Sequence, residues 1–89
     1  MSDPVIPRFA TGMKFRFDTV RDRWVVLGPE RLFLPDETAV EILKLVDGQR
    51  SLDDIADTLA ERFAAPREVI AADVTAMLRD LAEKGAIRL

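Results

Sequence analysis

Apolar and polar residues alternate strictly over Lys14-Phe15-Arg16-Phe17-Asp18. Phe15 and Phe17 fall on one face, and Lys14, Arg16 and Asp18 on the other, the period-2 pattern of a half-buried strand. A polar turn, Thr19 to Asp22, leads into Trp24-Val25-Val26-Leu27, an aromatic and β-branched run suited to a second strand paired back on the first. Gly28-Pro29-Glu30 turns the chain again, and Leu32-Phe33-Leu34 is a short third strand stopped by Pro35. It should lie at the edge of the meander.

From Asp36 onward the period changes to that of helices. Asp36 is a suitable N-cap, Ala39, Ile42, Leu43 and Val46 follow at helical spacing, and Asp47-Gly48 stops the first helix. Ser51-Leu52-Asp53-Asp54 has the form of a capping box, ahead of an apolar stripe of Leu52, Ile55, Leu59 and Phe63. Pro66 stands where a first helical residue would. Ile70, Val74, Met77, Leu78 and Leu81 line the longest helix, closed by Gly85, with Ile87 and Leu89 able to fold back on it. Strands first and helices after predict an α+β fold. The expected form is winged helix-turn-helix-like, a three-stranded antiparallel sheet followed by three helices, with the turn at 63–66. Residues 1–12 read as a flexible N-terminal arm, and residues 13–89 as a single domain.

Composition narrows the function. The 89 residues are 48% hydrophobic and 33% charged, the balance of one globular domain with one core. The sequence has no Cys, His or Tyr, and its only serines are Ser2 and Ser51. Nucleophile-and-base pairs cannot be assembled from such parts, so no catalytic residue is assigned. Asp53, Asp54 and Asp57 form the densest carboxylate cluster, which reads as acids complementing a helix N-terminus. No metal site and no cofactor are expected. With no long apolar run and no signal-like start over Met1 to Arg8, neither a membrane span nor export is expected, and the cytoplasm is the default location.

Charge is uneven along the chain. Residues 1–34 carry six Lys/Arg against four Asp/Glu, and residues 35–89 seven against twelve. A DNA-binding transcriptional regulator of the winged-helix type would place the helix over 66–84 in the major groove. That helix has Arg67, Arg79 and Lys84 against Glu68, Asp73, Asp80 and Glu83, a poor match to phosphate. Leu32-Phe33-Leu34 points elsewhere. In one reading Leu32 and Leu34 are core and Phe33 is covered by the arm. In the other the edge accepts an extended peptide as an added strand, with the groove toward the third helix selecting side chains. Met77, with its adaptable thioether, is the helical residue best suited to face such a groove.

Four segments carry a family resemblance: Arg23 to Glu30, Leu32 to Ala39, Glu41 to Ser51, and Asp73 to Leu81, ending at Lys84-Gly85. Together they resemble the PqqD family of pyrroloquinoline quinone (PQQ) biosynthesis. The resemblance implies a peptide chaperone, a recognition element for ribosomally made precursor peptides. It would bind the peptide PqqA and present it to the radical S-adenosylmethionine enzyme PqqE. It further implies peptide binding along Arg31, Leu32, Phe33 and Leu34, and toward Val69, Asp73, Val74 and Met77. One departure is Val46, where relatives often carry Cys; the position reads as core. No nucleic acid or membrane partner is expected; the sequence does not fix the oligomeric state, and a monomer or weak homodimer is the expectation.

Overall fold

The computed structural model describes residues 4–89. Its elements run β1 (Arg8–Phe9), β2 (Lys14–Asp18), β3 (Arg23–Leu27), β4 (Leu32–Phe33), α1 (Glu37–Leu43), α2 (Leu52–Phe63), α3 (Arg67–Glu83) and β5 (Ile87–Arg88). Strands β2, β3 and β4 form an antiparallel meander, and three helices follow, the α+β order expected from the sequence.

The alternation in β2 sets the register of the hairpin. Phe15 stands opposite Val26 and Phe17 opposite Trp24. The Phe15 and Trp24 rings stack at 4.8 Å, and Phe17 meets Trp24 edge-on at 5.8 Å. At the turn the Asp18 carboxylate accepts from the Val20 and Arg21 amides at 2.9 and 3.2 Å, and Asp22 takes the left-handed conformation at φ 56. Strand β4 pairs with the other side of β3, with Phe33 opposite Val26 and Leu32 opposite Leu27.

The helix starts are set by side-chain caps. Asp36 accepts from the Ala39 amide at 2.8 Å, and Ser51 and Asp54 complete a reciprocal capping box. Helix α1 ends at Leu43, short of the expected stop at Asp47-Gly48. The Asp47 carboxylate accepts from the amides of Gln49 and Arg50, both at 2.9 Å, and this local turn competes with further helix. Ala64 closes α2 in the left-handed conformation, and Pro66 sits just before α3 rather than inside it. The Arg67 guanidinium bonds Asp57 and, at 3.1 Å, Asp53, pinning the start of α3 to α2.

The core joins Val26 of the sheet to Ile42, Leu43, Ile55, Leu59, Val74 and Leu78 of the helices. Val46 is buried there, as expected of the position where the resemblance has Cys. The segment expected as a flexible arm is instead packed where it is described. Strand β1 pairs with β5, Arg8 facing Arg88 and Phe9 facing Ile87. The Ala10 amide donates to Ala86 O at 3.0 Å, and the Leu52 amide to Val5 O at 2.8 Å. Pro7 is fully buried, and Phe9 stacks on Phe15 at 5.8 Å. These apolar contacts give the segment a fixed place that its prolines and short strand do not reveal in the sequence.

Candidate functional site

Among the described residues, strand β4 has a hydrogen-bonded neighbour only on its β3 side. The Gly28 amide donates to Arg31 O at 2.9 Å, closing the hairpin. Hydrogen-bonded and non-bonded pairs alternate in an antiparallel ladder. The next bonded pair is therefore Val26 with Phe33, so the backbone groups of Phe33 turn inward to β3. Those of Leu32 turn outward, to the open edge.

Side chains divide the other way. Phe33 shares a face with Val26 and packs against the core. Leu32 lies on the opposite face, 39% exposed, and Leu34 is 50% exposed. Of the two readings of this strand, the one with both leucines in the core does not hold.

Helix α3 runs alongside this edge in the opposite direction. Arg31, at the start of β4, donates through its guanidinium to the carbonyl of Lys84 at the far end of α3. Past the end of β4, Pro35 and Asp36 share an open cleft of about 1110 Å³ with Ile70, Asp73 and Val74 from the first half of α3. Trp24 and Phe17 from the hairpin and Phe63 from the end of α2 give the cleft an aromatic wall.

The eight expected site residues do not all converge. Asp73 stands exposed on the cleft wall and makes no ion pair among the described residues. Val74 is 1% exposed, a core residue at the cleft floor rather than a free contact. Met77, expected in the groove, packs partly buried against the core and does not line the cleft. Val69 is exposed but also lies outside the lining. Arg31 borders a separate shallow depression with Met13, Pro29, Glu30 and Gly85. Of the eight expected residues only Asp73 and Val74 line the cleft, and its other lining residues, Trp24, Pro35, Phe63 and Ile70 among them, were not expected. Phe63, at the last position of an otherwise well-buried apolar stripe, carried the clearest signal.

The rim of the cleft is charged but locally balanced. Glu41 pairs with Lys44 at 3.8 Å and with Arg62 at 3.7 Å, and Lys44 Nζ lies 5.3 Å from the Trp24 ring centroid. The Arg21 side chain, then its amide, hold the Asp18 carboxyl below its ordinary value. No group of three or more metal-ligating side chains occurs among the described residues. An outward-facing strand edge beside an aromatic cleft is suited to hold an extended chain by its backbone and to select its side chains.

These features define a small α+β binding module with an open sheet edge beside a helix-lined cleft. The family model of coenzyme PQQ synthesis protein D (PqqD) matches residues 23–87, and the chain belongs to that family. It is 55% identical over 84 residues to the PqqA binding protein of Bradyrhizobium diazoefficiens, covering 94% of this chain and 79% of the relative. Among solved structures it resembles the PqqD truncation of Methylobacterium extorquens PqqCD, described as a functional, stand-alone recognition element for ribosomally synthesized, post-translationally modified peptides. That match has a TM-score of 0.78 and 42% identity, over 93% of this chain and 88% of the other. The crystal structure of PqqD from Xanthomonas campestris matches with a TM-score of 0.64 and 36% identity, over 100% and 99% of the two chains.

Proposed function

We propose that this chain is a peptide chaperone of PQQ biosynthesis that binds the precursor peptide PqqA and presents it to the radical S-adenosylmethionine enzyme PqqE. The observation that carries the reading is the outward-facing backbone of Leu32 on an unpaired edge, next to the cleft of Trp24, Pro35, Ile70 and Asp73. The peptide adds as a strand antiparallel to β4 and continues past Pro35 into the cleft. Leu32 and Leu34 contribute backbone groups, Asp73 a charged contact, and Phe33, Val74 and Met77 the packed support behind them. Arg31 and Val69 flank the two ends. The chain itself performs no chemistry, needs no cofactor, and acts in the cytoplasm as a monomer or weak homodimer.

Titration of the isotope-labelled protein with PqqA peptide, read amide by amide, tests this. The expected shifts centre on residues 31–35 and 70–74. Shifts confined to the outer ends of α1 and α2, or no binding at all, would refute it. Duplex DNA is the competing ligand, and the acidic balance of α3 predicts weak, strongly salt-dependent binding to it.

A further inference from the structure

The register of the sheet sorts its side chains by charge as well as by polarity. Phe15, Trp24, Val26 and Phe33 face the helices, so Lys14, Arg16, Arg23, Leu27 and Leu32 share the outer face. Lys14, Arg16 and Arg23 are all exposed. None of the three makes an ion pair among the described residues, although Arg23 donates to Pro35 O at 3.0 Å and reaches the border of the cleft, so Lys14 and Arg16 are the freest of the three. Among the described strand residues the one carboxylate on this face, Asp18, is already bonded to Arg21 at 2.7 Å. The helical half differs. There Lys44, Arg50, Arg62, Arg67 and Lys84 each sit against a carboxylate.

Two ordinary roles explain part of this face. Cations on β2 guard a sheet edge against pairing with other chains, and a long Arg16 stem opposite Val25, which is 0% exposed, is suited to shield it. Neither role requires that the face be left without acids. Arg8, Arg31, Arg79 and Arg88 also lack a carboxylate partner among the described residues, but they are scattered, whereas Lys14, Arg16 and Arg23 lie together on one face, across β3 from Leu32 at the open edge. Unpaired cations beside a small apolar anchor form a surface complementary to an acidic protein patch.

We propose that the outer face of the β2–β3–β4 sheet, with Lys14, Arg16 and Arg23 as its charged contacts and Leu32 as its apolar anchor, docks an acidic surface of the modifying enzyme. The inference rests on the presenter reading above and adds which side of the chain faces the enzyme. An added peptide strand displays alternate side chains on each face of the sheet. Those on the outer side then lie beside Leu32, within the docked surface. Peptide and docking cations are thereby read together. A protein partner fits better than nucleic acid, because the chain as a whole carries a formal net charge of −3, which disfavours a polyphosphate backbone.

The test uses the full chain, PqqE and PqqA peptide, with Lys14→Glu/Arg16→Glu as the variant and Arg79→Glu as the control. Affinity of the wild-type chain for PqqE is expected to fall steeply between roughly 50 and roughly 300 mM NaCl. The double variant should lose about tenfold or more in affinity for PqqE. Its affinity for PqqA peptide and its melting temperature should stay near wild type, and Arg79→Glu should change neither binding. Lys14→Gln/Arg16→Gln repeats the measurement should charge reversal disturb folding, with a smaller loss in the same direction. Unchanged PqqE affinity in the glutamine variant overturns the docking face while leaving peptide binding intact. Failure of the wild-type chain to bind peptide would instead strike the reading on which it rests. Tight duplex DNA binding at physiological salt, lost in the same variants, would reassign the face to nucleic acid.

Discussion

Phe33 and its neighbour Leu32 differ in which way each backbone points, and this decides what a substitution does. Phe33 shares a bonded pair with Val26, so Phe33→Pro removes an internal ladder bond and should lower the melting temperature. Leu32 opens β4 and turns its amide outward, a position where a strand tolerates proline. Leu32→Pro should stay folded and weaken PqqA binding by about 1–3 kcal/mol, the penalty for an unpaired peptide carbonyl. Calorimetry of the peptide complex measures it, and unchanged affinity would sink strand addition at this edge. Three consecutive apolar residues, Leu32-Phe33-Leu34, carry no alternation to read, so the sequence marked the strand but not its inner face. Met77 follows the same logic. Its half-buried place on the core means Met77→Glu should depress the melting temperature more than the peptide affinity.

At the scale of elements, the signals that were legible are those made within a few residues. Ser51 and Asp54 are three apart, and their reciprocal bonds are both present. Ser51→Ala should cost about 1 kcal/mol, seen as a lower urea midpoint with an unchanged slope. The ribbon of β1 and β5 was not legible, because each strand has two residues and the partners lie at opposite ends of the sequence. Its consequence can be tested by removing residues 1–10. A flexible arm would be lost without effect. Loss of buried Pro7, of Phe9 on Phe15 and of the Ala10 bond to Ala86 should instead lower stability by roughly 2 kcal/mol or more. Against a total of about 5–10 kcal/mol, that fraction is readily seen in a denaturant curve. The cleft lies between these extremes. Its walls come from the hairpin, α1, α2 and α3, and only once those are assembled do Trp24, Phe63 and Ile70 meet.

For the whole molecule, the charges that stabilise the fold titrate far from neutrality. Asp18 is held below its ordinary value by the Arg21 side chain first, and Asp47 by the backbone amides of Arg50 and then Gln49. A depressed carboxylate contributes stability above its unfolded value, near 3.9, and loses it as pH falls through the lower folded value. Arg67 is raised, by Asp57 first and then Asp53, so its contribution is complete below the unfolded arginine value and is lost only in strong alkali. With no His in the chain, no side chain has an ordinary value between pH 5 and pH 8. The melting temperature should therefore be flat across that window and fall below about pH 4. A scan of melting temperature against pH checks it, and a midpoint near pH 6 would contradict the assignment. Salt separates the two kinds of contact on the same molecule. Peptide held by backbone pairing at β4 and by the aromatic cleft should keep its affinity as ionic strength rises, because little of that contact is Coulombic. Binding through Lys14, Arg16 and Arg23 should decline over the same range. Measured side by side on one preparation, a salt-insensitive peptide isotherm and a salt-sensitive enzyme isotherm would show the edge and the outer face acting as separate surfaces. Parallel loss of both would mean that charge, rather than the strand edge, holds the peptide.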